Sequence, residues 1–219
     1  MKIAAFNMKN FGQKKVSDDK VVGYLVKIMS QYSIVVILEV MDESGEAMKL
    51  LLEKLNSSRS NKESPYGMIC SKSLGRDTYK EKYVCFYRTK EVELKDSKQY
   101  ADDQPGDEDA FAREPFILRF SCPSTAVTDI VLIPVHTQPV KAEKELDELF
   151  DVVQQVRTEW KTDVLSFSVS QWAGPHLFPP LFPEHHDFRR FQCKRSISVQ
   201  EEEDKAPHPT ASLLLADRR

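Results

Sequence analysis

The 219-residue chain has no long apolar run: none exceeds five residues, Ile34 to Leu38 being one, whereas a helix needs about 20 to cross a bilayer. A transmembrane helix is thereby excluded, and no membrane association is expected. An excess of charge of one sign is also missing. Its 31 basic residues against 34 acidic ones leave a formal net charge of −3, so bulk attraction to a polyanion is not available and nucleic acid could be held only by a local basic patch. Cysteine is sparse. Cys70, Cys85, Cys122 and Cys193 form no CxxC pair and have no metal-spaced histidine nearby, which argues against a zinc knuckle and for mostly free thiols. The apolar core of a secretory leader is absent as well, because Met1-Lys2 runs into only four apolar residues, Ile3 to Phe6. With Met1 as the true start, the nucleus or cytoplasm is expected; with a leader trimmed ahead of it, secretion. There is no internal repeat.

With 41% apolar and 10% aromatic residues, the chain can bury a real core. Two regions differ. Up to about Leu165 the apolar pattern switches between strand-like and helix-like periods, separated by turn signals. Residues 166–219 instead hold 6 of the 12 prolines and 4 of the 5 histidines, with the acidic run Glu201 to Asp204. Pro175, Pro179, Pro180 and Pro183 forbid a continuous helix or central strand there. A folded unit over 1–165 and a poorly ordered tail over 166–219 are therefore expected. Leu213 to Leu215 is too short to anchor in a membrane, and the tail histidines, His176, His185, His186 and His208, are spaced too irregularly to suggest a designed metal site.

In the first region, Ile3 to Asn7 reads as a strand and Ser17 as the cap of a helix through Tyr32, with Asp18 and Asp19 at its positive end. Val21, Val22, Leu25, Ile28, Met29 and Tyr32 would form its buried stripe. Ile34 to Val40 suits a strand covered on both faces. Ser44 would cap a second helix burying Met48, Leu51, Leu52 and Leu55. Further strands are expected at Tyr66 to Ser71, Tyr83 to Arg88, Glu91 to Tyr100, Phe116 to Cys122, Asp129 to His136 and Asp163 to Phe167. A third helix, Lys141 to Trp160, would bury Leu146, Leu149, Phe150, Val153 and Trp160. Strands that both alternate with helices and follow one another favour mixed sheets with helices outside them, an α+β architecture.

Asn7, Glu39 and His136 stand at the C-terminal ends of apolar strands, where mixed folds expose side chains to a cleft. Each also has a structural reading: an Asx-turn, a solvated strand end, a satisfied histidine. Gly75-Arg76-Asp77-Thr78-Tyr79-Lys80-Glu81 puts a cation, an aromatic and a carboxylate into one connection. Arg76 could pair with phosphate or enter a minor groove, Tyr79 could stack on sugar or base, and Glu81 could orient an imidazole. A charged, solvated hairpin is the alternative.

Taken together, KIAAFN (2–7), ILEV (37–40), LGRDTYKEKY (74–83), FAREPF (111–116), IPVHTQP (133–139) and ELDELFDVVQQV (145–156) closely resemble the deoxyribonuclease I family, in its deoxyribonuclease-I-like and gamma-type branches. The resemblance runs from Met1 to about Val164. It implies a four-layer α/β/β/α sandwich of two mixed sheets, here with an incomplete second sheet, and endonucleolytic hydrolysis of DNA with Mg²⁺, often aided by structural Ca²⁺. It implies Glu39 as the metal ligand, Asn7 as a polar neighbour of metal and scissile phosphate, and His136 as a catalytic histidine held by Glu81. Arg113 would lie near the phosphate, with Arg76 and Tyr79 in the loop that touches the minor groove. Actin is a partner of some relatives.

The departures from the family pattern lie late in the chain. Leu165 to Ser170 reads LSFSVS where the family has GDFN, and neither YDR nor SDH occurs. His185-His186-Asp187 has suitable residue types in another order, and Met41 replaces an arginine. A DNA endonuclease of weak or lost activity is the expectation, with a catalytically dead DNA-binding or regulatory isoform as the alternative. A phosphatase acting on lipid or inositol phosphates is a third reading, against which the GRDTYKE segment argues.

Overall fold

The computed structural model describes residues 1–76, 78–103 and 109–162, together with the backbone of two further strands. The expectations placed on Asp77, Asp163, Cys193, the proline- and histidine-rich stretch, Glu201 to Asp204 and Leu213 to Leu215 lie outside the described residues. In chain order the elements are β1 (Ile3–Phe11), α1 (Gln13–Val16), α2 (Asp19–Met29), β2 (Ile34–Val40), α3 (Glu46–Ser57), β3 (Tyr66–Cys70), β4 (Lys82–Arg88), β5 (Glu93–Gln99), β6 (Phe116–Ser121), β7 (Asp129–His136), α4 (Ala142–Trp160), β8 (Leu165–Ser170) and β9 (Ala211–Ser212). Single 3₁₀ turns precede β3 and α4.

One sheet has the order β3-β4-β2-β1-β9 and the other β5-β6-β7-β8. Both are mixed: β1 runs parallel to β2, and β7 to β8, while the remaining neighbours are antiparallel. The period-2 alternation of side chains turns β2 into a two-sided partner. Its Ile34, Val36 and Leu38 meet Leu118, Phe120, Ile130 and Leu132 of the opposite sheet. Val35 and Ile37 point the other way, onto Met29 of α2 and Met48, Leu51 and Leu55 of α3. Behind the second sheet, Leu149, Val152, Val156 and Trp160 of α4 cover Ile117, Val131, Ile133 and Val135. The layers thus run helix, sheet, sheet, helix, as expected of the four-layer sandwich.

The strands β2 and β7 have the bounds expected, because each is a run rich in β-branched residues buried along nearly its whole length. Others moved. β1 continues past Asn7 to Phe11 through an irregular stretch, and the expected Glu91–Tyr100 strand narrows to β5 because Glu91 and Val92 turn back onto the Arg88 carbonyl. β8 extends across the boundary expected at 165/166, ending at Ser170. The described part of the second sheet holds four strands.

A carboxylate in place of the expected Ser17 caps α2, and at α3 a carboxylate shares the role with the expected Ser44. Asp18 accepts from the amides of Lys20 and Val21, at 2.9 and 3.2 Å. For α3, Asp42 accepts from Gly45 N at 3.1 Å and Met48 N at 2.9 Å. Ser44 donates to Asp42 and accepts from Glu46 N. A charged acceptor at a positive helix end is the stronger cap. Of the stripe expected on α2 only Val22 and Met29 are fully buried, and Ile28 is exposed, because the helix touches its neighbours along a narrow face. Phe150 of α4 is likewise on the surface. Among the described residues no helix is long and apolar enough to cross a membrane.

Replacing Asp42 by alanine removes both amide acceptors of α3 and is expected to cost about 1–2 kcal/mol. Urea unfolding of the two proteins measures this, and an unshifted midpoint would contradict the capping role.

Candidate active site

The site begins with two dislocations in the first sheet. Asn7 pairs with Leu38 and Phe11 with Val40, so three residues of β1 lie opposite Glu39 alone. On the other side of β2, Ile37 pairs with Val84 and Val40 with Lys82, leaving Leu38 and Glu39 opposite Tyr83. Bulges of this kind re-aim side chains at strand ends. Lys9, Asn10 and Glu39 take left-handed backbone conformations, at φ 39°, 53° and 57°, each costing on the order of 1–3 kcal/mol unless the surroundings hold it. Gly12 completes the bend, since a Cβ there would lie 2.5 Å from the Met41 carbonyl oxygen.

The dislocation brings Asn7 and Glu39 together. Asn7 Nδ2 donates to Glu39 Oε1 at 2.7 Å, and the Asn10 amide donates to Glu39 Oε2 at 3.2 Å. Glu39 is buried. Across from it, at the end of β7, His136 Nε2 lies 3.5 Å from Glu39 Oε1, while Nδ1 lies 2.5 Å from Glu81 Oε1. The backbone amide of His136 donates to the Tyr83 hydroxyl at 2.9 Å. Tyr83 is wholly enclosed, and burial drives its phenol far up, so it remains a neutral hydroxyl.

Glu81 has no exposed surface. Its Oε1 also lies 2.9 Å from Arg113 Nε, close enough for an ion pair although not aligned as a hydrogen bond. Arg113 faces a third carboxylate, Glu145, on the first turn of α4. Glu145 is also fully buried and accepts from the backbone amide of Gln138 at 3.2 Å, with the Ala112 amide close to its carboxyl. It therefore staples the segment carrying Arg113 to the turn that follows His136. Burial pushes its carboxyl up, opposed by the two amides and by Arg113.

The structure thus gathers Asn7, Glu39, Glu81, Arg113 and His136 at one place. Arg76 is turned elsewhere: it donates to the carbonyls of Asp109 and of Phe111, the latter at 2.8 Å. Tyr79 is 37% exposed, and its hydroxyl donates to Asn10 Oδ1 at 2.6 Å. Several nearby lysines are likewise spent on backbone carbonyls, Lys15 on Met8 and Lys9, Lys80 on Gly75, and Lys82 on Asp42 and Glu43. Met41 is partly exposed beside the bulge.

As a cation site the donor set is thin but chemically suitable. Asn7 presents its N–H to Glu39, and its Oδ1 accepts from Lys9 N at 3.0 Å, so Glu39 is the carboxylate that would hold a metal. Among the described residues no group of three or more His, Cys, Asp or Glu side chains is placed to hold one. A carboxylate has about four acceptor positions, and Mg²⁺ commonly takes one or two carboxylates and completes its shell with water and phosphate oxygens.

Asn10, Tyr83 and Glu145 were not among the residues expected from the sequence. Glu145 had left a trace there, as a charged residue four positions before Leu149 on the apolar face of α4. Because its carboxyl is raised, folding takes up a proton above the ordinary carboxylate range, and the native state loses stability as pH rises from that range through the raised value. Glu145→Gln keeps an acceptor without the charge. It should therefore gain stability relative to the parent as pH rises through this window, read from urea midpoints at several pH values. A constant difference would show that Glu145 titrates normally.

No family model matches the chain. Deoxyribonuclease gamma of Mus musculus and that of Homo sapiens are each 40% identical over 179 residues, which is 82% of this chain and 57% and 58% of theirs. Deoxyribonuclease-1 of Oryctolagus cuniculus is 41% identical over 189 residues, 81% of this chain and 66% of that one. The chain thus spans less than two thirds of the length of these relatives. Among solved structures, an endonuclease/exonuclease/phosphatase from Bacteroides vulgatus is similar with a TM-score of 0.52 at 14% identity, covering 78% of this chain and 66% of that one. The human Nocturnin catalytic domain with bound sulfate gives 0.51 at 10% identity, covering 78% and 64%. These two concern the fold alone. Two mixed sheets packed between helices, with about 40% identity along four-fifths of the chain, place it in the deoxyribonuclease I family.

Proposed function

We propose that the chain is a metal-assisted DNA endonuclease of the deoxyribonuclease I type, hydrolysing phosphodiester bonds, with activity weak or lost. The observation that carries this reading is the imidazole of His136 set between two buried carboxylates, Nδ1 on Glu81 and Nε2 facing Glu39. A carboxylate on Nδ1 fixes the tautomer that carries its proton there and stabilises the imidazolium, which leaves Nε2 to take a proton from water or give one to a leaving oxygen. Arg113, anchored to Glu81, supplies positive charge where a phosphorane would gain negative charge. Asn7 holds Glu39 and offers a polar neighbour to the phosphate. Mg²⁺ on Glu39, with Ca²⁺ as a possible second ion elsewhere, would neutralise phosphate charge and acidify a bound water. Tyr79, exposed beside this cluster, would meet sugar or base, and Arg76 would contribute charge once released from the carbonyls it now serves.

Weak activity follows from what the family pattern adds beyond this cluster. The sequence reads LSFSVS over Leu165 to Ser170 and lacks GDFN, YDR and SDH, so a second histidine and further carboxylates are not supplied by those motifs. One carboxylate alone would hold Mg²⁺ weakly. The engagement of Arg76 and of three lysines with backbone carbonyls also occupies donors that a DNA phosphate would need. A DNA-binding protein without cleavage is the second reading. The exposed Tyr79 ring favours it, since stacking needs no metal.

On supercoiled plasmid with Mg²⁺ and Ca²⁺ the expected outcome is trace nicking, abolished by EDTA and by His136→Ala. Robust nicking that survives His136→Ala would overturn the role assigned to the imidazole. Binding without nicking, weakening steeply from low to moderate salt, would select the second reading.

A further inference from the structure

We infer that Asn10, tied to the Tyr79 hydroxyl, is a positioning residue that holds the Glu39 carboxylate in the attitude in which it takes a divalent cation. This rests on the reading of Glu39 as the cation ligand.

The two oxygens of Glu39 are fixed by different parts of β1. Oε1 accepts from the Asn7 side chain, which belongs to the regular ladder, where Asn7 pairs with Leu38. Oε2 accepts from the backbone amide of Asn10, which belongs to the bulge and has no partner position on β2. The orientation of the carboxylate plane therefore depends on where the bulge sits. Asparagine tolerates the left-handed conformation required at φ 53°, but tolerance alone does not fix a position.

Two side chains do so. Lys15 of α1 donates to the carbonyls of Met8 and Lys9, pulling the bulge from one side. From the other, the Tyr79 hydroxyl donates to Asn10 Oδ1 at 2.6 Å, across a sequence separation of 69 residues. Tyr79 sits in a tightly closed loop. Leu74 and Glu81 exchange backbone hydrogen bonds of 2.8 and 3.0 Å at its base, and Gly75, at φ 118°, admits the Tyr79 carbonyl where a Cβ would lie 2.6 Å from it. The same loop ends in Glu81, the anchor of His136. One short tie thus links the segment that orients the imidazole to the one that orients the carboxylate. Burial, and then the nearby Glu39 and Glu81 charges, push the Tyr79 phenol up, so the hydroxyl keeps its proton and stays a donor. Partners behind a metal ligand set its orientation and its affinity.

The test is Mn²⁺ binding to the full chain without DNA, followed by the electron paramagnetic resonance of the free ion. Glu39→Gln should abolish or severely weaken binding. Tyr79→Phe keeps the ring and loses only the hydroxyl, and Asn10→Ala keeps the backbone amide and loses only the acceptor. Each should raise the dissociation constant about tenfold, and the double variant should be no worse than the weaker single one. Should Asn10→Ala not fold, Asn10→Gly suits the backbone and carries the same expectation. Hydrogen exchange at the Asn10 amide should accelerate in Tyr79→Phe at an unchanged melting temperature. If Glu39→Gln weakens binding while Tyr79→Phe leaves it within twofold of the parent, or if the two losses multiply in full, the inference falls and the Glu39 reading stands. If Glu39→Gln binds like the parent, the Glu39 reading falls and takes the inference with it.

Discussion

A carboxylate without exposed surface persists in a folded protein only where donors and cations meet it, and of two such carboxylates among the described residues Glu81 is the one on which the site turns. His136 Nδ1 and Arg113 Nε converge on the same oxygen, which makes one atom the junction of the end of β7, the loop leading into β4 and the segment leading into β6. Since Glu81 leads into the first sheet and His136 closes a strand of the second, the pair draws the two sheets together at the polar end of their shared apolar core. The His136 amide on the Tyr83 hydroxyl repeats the link through the backbone. Taking away Glu81 would leave Arg113 and His136 without the carboxylate that joins them, a loss of about 3–5 kcal/mol in comparable cases.

Around that junction the fold spends regularity to gain direction. The ladder between β1 and β2 is in register as far as Asn7 and Leu38 and resumes at Phe11 and Val40. The interruption turns Glu39 toward His136 instead of leaving it in the alternation of the strand. Strain in three left-handed residues is offset by local bonds: Asn7 and Asn10 on Glu39, Lys15 on the bulge carbonyls, Tyr79 on Asn10. Charge is handled as locally as shape. Glu145, Arg113, Glu81, His136 and Glu39 alternate in sign when the imidazole is protonated, so the cluster needs little help from a chain whose net charge is only −3.

Legibility in the sequence varied with how local the deciding physics was. The runs Ile34 to Val40 and Asp129 to His136 show their strands because apolar, β-branched residues suit a sheet covered on both faces, and nothing distant alters that preference. The helix ending at Trp160 is equally plain from its 3.6-residue stripe. Caps are less legible, Asp18 serving where Ser17 is expected and Asp42 joining Ser44, because several acceptors precede each helix and only the path of the incoming chain selects among them. The gathering of Asn7, Glu39, Glu81, Arg113 and His136 was legible through family resemblance rather than spacing.

By itself, then, the sequence determined most of the elements, their α+β character and, through its motifs, which side chains carry polar chemistry. Tertiary structure alone decided the bulges that aim Glu39, the diversion of Arg76 to the carbonyls of Asp109 and Phe111, the burial of Glu145 behind Arg113 and the tie from Tyr79 to Asn10. Periodicity arises between residues within one turn or one pleat. These contacts join residues tens of positions apart, and they exist only once two sheets have closed on a common core.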